Sequence, residues 1–175
     1  MPESLFQQLL GEAFDLLPPP IRKLHDGHSK VLVGHCDVQR GAGVLSRLFG
    51  FVTSLPPAGA NQKIRVEITC GTDHECWIRH FRRGKMQSTL KACNHILHER
   101  LGLARFRFKL VYDDQRQTVS WQLVHVATLG IPLPIKWFSA VLAEESAQNE
   151  RYCFNVRAAL PVVGMLVHYT GWLDV

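Results

Sequence analysis

RFRFKLVYDDQRQTVSWQLVHVAT, residues 105–128, is the stretch whose reading decides the fold. Phe106, Phe108, Leu110 and Tyr112 alternate with Arg105, Arg107 and Lys109, the period of two that gives a strand one dry face and one wet face. A turn over Asp113, Asp114, Gln115 and Arg116 folds a second arm back onto the first. Matching the apolar positions predicts Phe108 opposite Trp121, Leu110 opposite Val119 and Phe106 opposite Leu123. A slip of one residue would carry the whole aromatic face into water, so the face of each side chain is expected to be firmly held.

Downstream, Gly130, Ile131, Pro132, Leu133 and Pro134 make a stiff connection whose prolines exclude a central strand, and 135–138 reads as one helical turn. Strands are expected over 141–147 and 151–159, joined by a turn at 148–150. The last strand, 165–173, pairs with the second of these, placing Phe154 opposite Tyr169, Val156 opposite Val167 and Ala158 opposite Met165, with the hairpin closing near Pro161 and Val162. Upstream, 93–103 fits a strand or a helical turn by periodicity and is read as a strand. The segments 63–70, 75–82 and 85–92 form a meander in which Trp77, Arg79 and Phe81 share one face. A strand over 30–40 precedes a short amphipathic helix through Val44, Leu45, Leu48, Phe49 and Phe51 and a loop at Pro56, Pro57, Ala58 and Gly59. At the N-terminus, apolar residues at helical spacing predict a helix over 4–17 with Ser4 as N-cap, and Pro18, Pro19 and Pro20 end it and start a second short helix through 21–25.

These elements predict a mainly β (α+β) chain: a strongly curved antiparallel β-meander or barrel of about eight or more strands with N-terminal helices packed on it. The expected organisation is one domain over 1–175, with a helical segment at 1–25 and a β-rich body at 30–175. At 175 residues, with 46% hydrophobic and 20% charged, the chain can bury a sizeable core without disulfide support. The formal charge of +5 favours encounter with anionic partners, nucleic acid and membrane surfaces included. Five cysteines without a CxxC pair, and an N-terminus without a secretory signal, suggest reduced thiols and a cytoplasmic protein. No apolar run approaches the ~18 residues of a membrane span.

A set of landmarks spread over nearly the whole chain resembles the DUF4166 family of uncharacterised bacterial domains. They run from Leu5, Leu9, Leu10 and Phe14 with Leu24 and His25, through Arg40, Gly41 and Gly43, to Trp77, Arg79, Phe81, Gly84 and Ser88; Gly130, Pro132 and Pro134 follow, and then Phe154, Pro161, Gly164, Tyr169, Gly171 and Trp172. The resemblance implies no activity. It does imply a partner, because some members are tails attached to a saccharopine-dehydrogenase-like reductase, and that is the reductase partner expected here. This chain has neither GxGxxG nor a P-loop, so no cofactor is expected on it.

Four kinds of chemistry are conceivable for these residues. Zinc wants paired N or S ligands, and Cys70, His74 and Cys76, with His35 beside Cys36, provide no second tight pair, so buried thiols are the better reading and no metal is expected. Nucleophilic catalysis lacks a GxSxG elbow, and Glu144 and Glu145, being adjacent, face opposite ways on a strand. Nucleic-acid binding through Arg79, Arg105, Arg107 and Lys109 needs aromatics beside the cations, whereas the hairpin separates them, so none is expected. What remains is a pocket for a small, largely apolar or anionic ligand, built from Arg79, Trp77 and Phe81 with Arg40, His25, Tyr169 and Trp172. Two readings of Arg79 stay open: pairing with a ligand anion, or with a protein carboxylate such as Glu67 or Glu145. At the level of function, non-catalytic ligand binding is set against an interaction module with a filled core, and an enzyme ranks behind both. A dry cavity well above ~300 Å³ with Arg79 in its wall would favour the ligand.

Overall fold

Ser4 opens the chain's first helix as its hydroxyl and position predict. In the computed structural model, which describes residues 3–41, 43, 57–160 and 164–175, α1 spans Leu5–Leu10 and begins with a capping box. Ser4 Oγ accepts from the Gln7 amide at 3.2 Å, and Gln7 Oε1 accepts from the Ser4 amide at 2.7 Å. The helix expected over 4–17 is cut short at Gly11, whose φ of 56° is free of steric cost only for glycine; the chain then tightens into a 3-10 turn over Gly11–Leu16. Helix α2, Pro19–Leu24, starts on prolines because they lack the amides that a first turn would leave unbonded.

Eleven strands follow among the described residues: β1 Lys30–Arg40, β2 Gly59–Cys70, β3 Glu75–His80, β4 Lys85–Cys93, β5 Ile96–Leu101, β6 Ala104–Asp113, β7 Thr118–Thr128, β8 Ile131–Leu133, β9 Leu142–Gln148, β10 Arg151–Leu160 and β11 Gly164–Asp174. All neighbours are antiparallel, and β11 returns to pair with β1, so ten of them close a barrel while β8 hangs on β7 as a short spur. Closure gives every strand but the spur a neighbour on both sides, and the spur carries Pro132. The amphipathic helix expected through Val44–Phe51 and the hairpin closure near Pro161 and Val162 lie outside the described residues, as does Pro56.

Both predicted hairpin registers are displaced by two residues. In β6–β7, Leu110 faces Trp121, Tyr112 faces Val119 and Phe108 faces Leu123, while a bulge at Arg107/Phe108 sets Phe106 opposite Val126. The cause is the turn. Asp113 Oδ1 accepts from the amides of Gln115 and Arg116 at 3.0 and 3.1 Å, and Gln117 takes a positive φ of 53°, so the loop is 114–117 rather than 113–116. In β10–β11, Val156 faces Tyr169, Ala158 faces Val167 and Phe154 faces Gly171, and a bulge at Ala158/Ala159 brings Ala159 opposite Met165. An even displacement leaves the side chains on their predicted faces as far as each bulge; beyond the bulges Val126 turns to the Phe106 side and Met165 stands opposite Ala159.

The two helices plug one end of the barrel. Phe6, Ile21 and Leu24 are fully buried there, and the Tyr112 hydroxyl donates to the Leu16 carbonyl at 3.0 Å. Strand direction then places the turns after β3, β5 and β7, and the 3-10 turn Ile135–Phe138, at the opposite end.

Candidate functional site

Alternation along β3 points Trp77 and Arg79 inward, and the same rule applied to β5 and β11 points Glu99 and Tyr169 toward them. Together with Trp121 and Phe154 they line a half-enclosed, mostly apolar cavity of about 160 Å³ inside the barrel. This is about half the smallest usual ligand pocket, ~300 Å³, but close to the ~150 Å³ at which an apolar cavity holds a single aromatic ring.

The floor is a buried polar group. Glu145 is 4% exposed, and its two oxygens take His25 Nε2 at 3.0 Å and Trp121 Nε1 at 3.1 Å. The His25 ring lies flat on Phe6, with centroids 3.3 Å apart, which ties the helical plug to β7 and β9 through one carboxylate. Removing either partner leaves a buried polar group unsatisfied, at a cost of about 1–3 kcal/mol or more. Tyr152 sits beside it; burial, then the Glu145 charge, pushes its phenol well above the usual range.

The wall is built differently. Arg79 Nη1 donates to Ser88 Oγ at 3.0 Å, and the guanidinium lies over the Trp77 ring, 5.0 Å from its centroid. Among the described residues no carboxylate oxygen comes within 4.0 Å of it. Burial pushes the Glu99 carboxyl up, offset in part by the Arg79 charge and by hydrogen bonding to Ser88. Tyr169, on the same wall, is pushed up to about 12 by burial, with Arg79 opposing and Glu99 reinforcing.

Neither expected protein partner of Arg79 serves it. Glu67 lies on the outer face with Arg65 and His80, at 2.8 and 3.2 Å, and Glu145 is taken by His25 and Trp121. Of the residues expected to form the site, Arg79, Trp77 and Tyr169 line the cavity. Phe81 is buried on the same face but does not line it, and His25, 1% exposed, lies behind its floor. Arg40 is half-buried at the far end of β1, where burial lowers its pKa. Trp172 lies on the outside, its ring under Arg151 at 3.8 Å and edge-on to His35 at 5.2 Å. Glu99 and Trp121 were not anticipated in the site, and Glu145 was expected there only as a possible partner of Arg79. For Glu99 the only signal was strand alternation over 96–101.

Among the described residues, no three His, Cys, Asp or Glu side chains are placed to hold a metal ion, and no helix is long and apolar enough to cross a membrane. Burial pushes the thiols of Cys36 and Cys70 up to about 11, with the charges of Asp37 and Glu75 adding to it, so neither has thiolate character. A search of curated proteins finds no match to the chain. The family model described as "Domain of unknown function (DUF4166)" matches residues 17–173, which include helix α2 and, but for Asp174, every strand of the barrel, while helix α1 and the 3-10 turn after it precede the match. On that match the chain belongs to the DUF4166 family.

Proposed function

We propose that the barrel binds one compact, largely apolar ligand whose anionic or hydrogen-bond-accepting group meets Arg79. The observation that supports this is a guanidinium on the wall of a cavity of about 160 Å³, bonded to a serine hydroxyl and, among the described residues, without a carboxylate at ion-pair distance. A half-buried cation on an apolar wall gains from an anion placed against it. The cavity volume argues for a single ring or a short chain, a smaller ligand than the sequence suggested. Carriage or presentation of such a ligand fits a non-catalytic barrel, and presentation to a reductase is the form the family resemblance favours.

The test is a thermal-shift series with benzoate and octanoate against the neutral benzyl alcohol and octanol. The acids are expected to raise Tm in proportion to the logarithm of concentration above Kd. Arg79→Met should remove the advantage of acid over alcohol, and Ala143→Phe, which fills the cavity, should abolish both responses while the protein stays folded. If no compound shifts the wild type and Ala143→Phe is at least as stable, the space is a packing void and the filled-core interaction module takes its place.

A further inference from the structure

The outer surface from β4 to β6 carries cations almost without carboxylates. Lys85, Arg100, Arg105, Arg107 and Lys109 are all exposed, and none has a carboxylate within 4.0 Å among the described residues. Register makes the excess sharper: Arg100 stands directly opposite Arg105, and His98 opposite Arg107. Like charges across a ladder destabilise it unless an outside anion compensates. After burial, the charges of Arg107 and His125 are what lower the pKa of His98.

At the end away from the helices, this cationic flank runs into an apolar rim. Leu103, in the β5–β6 turn, is 52% exposed; Leu129 and Ile131, at the β7–β8 turn, are 69% and 65% exposed. The Leu129 amide donates to the Leu103 carbonyl at 3.2 Å, so the two turns adjoin. Ile135 and Trp137, 44% and 45% exposed, flank Lys136 in the 3-10 turn at the same end, and Arg82 and Arg83 stand exposed in the β3–β4 turn. These apolar groups are tips of separate turns, not a flat face that another protein surface would cover. Exposed apolar tips ringed by cations fit a boundary that is apolar inside and anionic outside. Nucleic acid would use the cations but give no role to the apolar tips, and the β6 aromatics that could stack on bases point into the barrel.

We infer that the far end of the barrel docks on an anionic lipid bilayer, with Leu129, Ile131 and Trp137 entering the headgroup boundary and Arg82, Arg83, Arg100, Arg105 and Lys136 facing lipid phosphates. This goes beyond the ligand reading and holds whether or not the cavity is occupied.

Sedimentation of the full chain with vesicles tests it. Binding is expected to vesicles of phosphatidylcholine and phosphatidylglycerol in equal parts, and at least tenfold weaker binding to phosphatidylcholine alone. Neutralising Arg100 and Arg105 as Gln should weaken binding roughly fivefold for each charge. Leu129→Ser with Ile131→Ser should leave binding at low salt but lose it at physiological salt, where penetration must hold the protein. Brominated lipid should quench the fluorescence of the wild type but not of Trp137→Phe, which keeps Trp77, Trp121 and Trp172 as internal controls. All these sites are exposed, and unchanged Tm values check that the variants fold. Failure to sediment, equal binding to both vesicles, or serine variants that behave as wild type at physiological salt would overturn the inference. So would duplex DNA displacing the vesicles, which would assign the cations to nucleic acid.

Discussion

Glu75, Glu99 and Glu145 all point into the barrel, and they are held differently. Glu75 takes the indole N–H of Trp77 at 2.9 Å and Glu145 takes two N–H donors, whereas Glu99 has the Ser88 hydroxyl and the more distant charge of Arg79. Its carboxyl is therefore raised above the ordinary 4.5, and the native state keeps a proton that the unfolded chain has already lost. Stability from this group is fully present below 4.5 and falls as pH rises through the folded value, by about 1.4 kcal/mol for each unit between the two. Glu99→Gln should remove that fall, so the stability of the variant relative to wild type, from urea titrations at a series of pH values, should rise across the window and then level off. A difference independent of pH would mean that Glu99 ionises as freely in the barrel as in the unfolded chain. Sequence showed Arg79 and Trp77 facing inward because residues two apart share a strand face. The same rule excludes Tyr169 and Trp172 from one face, since they are three apart, and Trp172 indeed lies outside. Glu145 could be offered only as a partner for Arg79, and its bonds to His25 and Trp121 stayed hidden, because LAEESAQ has no apolar alternation to say which of its two adjacent glutamates turns in.

Between β1 and β11 the element-scale constraint is steric. Gly171 lies opposite Cys36, and Gly34 opposite Leu173. A Cβ built on Gly171 would overlap the His35 carbonyl oxygen and come within 2.7 Å of Phe154 Cζ, and one on Gly34 would overlap the Trp172 carbonyl. Phe154 thus lies over the space that Gly171 leaves, which is why the β10–β11 register puts an aromatic ring opposite a glycine. Gly171→Ala is expected to destabilise by about 1–3 kcal/mol, the range for overpacking a filled site, or more because backbone is in the way. Chemical denaturation checks it, and a loss within 0.5 kcal/mol, typical of a surface change, would show that β1 and β11 can part at no cost. Matching apolar residues one to one, as the sequence reading did, cannot anticipate a ring paired with a glycine. Nor could it see that Asp113 would capture two amides and lengthen the β6–β7 loop. The elements and their faces were legible because they repeat every two residues; the registers were not, because they depend on single turns and single glycines.

Closure of the whole barrel depends on its weakest seam. Strands β7 and β9 share only Val119–Glu145 and Ser120–Glu144 in register, whereas β10 and β11 pair along nearly their full length. Beyond those two pairs β7 turns to β8, and the 3-10 turn Ile135–Phe138 packs between β7 and β10 with Phe138 buried against the cavity. Side-chain packing replaces the backbone ladder to β7 there, leaving the segment before β9 held by the Val141–Phe138 bond and by pairing with β10 from Leu142 onward, and regions with few backbone bonds open locally at a fraction of the global free energy. Native-state hydrogen exchange should therefore show amides at 139–143 opening with a free energy well below that of β1, β2 and β11, and with little dependence on added urea, as befits a motion that exposes little surface. The β1 and β2 amides should instead converge on the global value as urea rises. The seam borders the cavity through Ala143, Glu144 and Phe138, so the same opening gives the interior its route to solvent. Protection at 139–143 equal to that of β1 would mean that side-chain packing closes this wall as tightly as a hydrogen-bonded ladder, leaving the cavity without a door on that side.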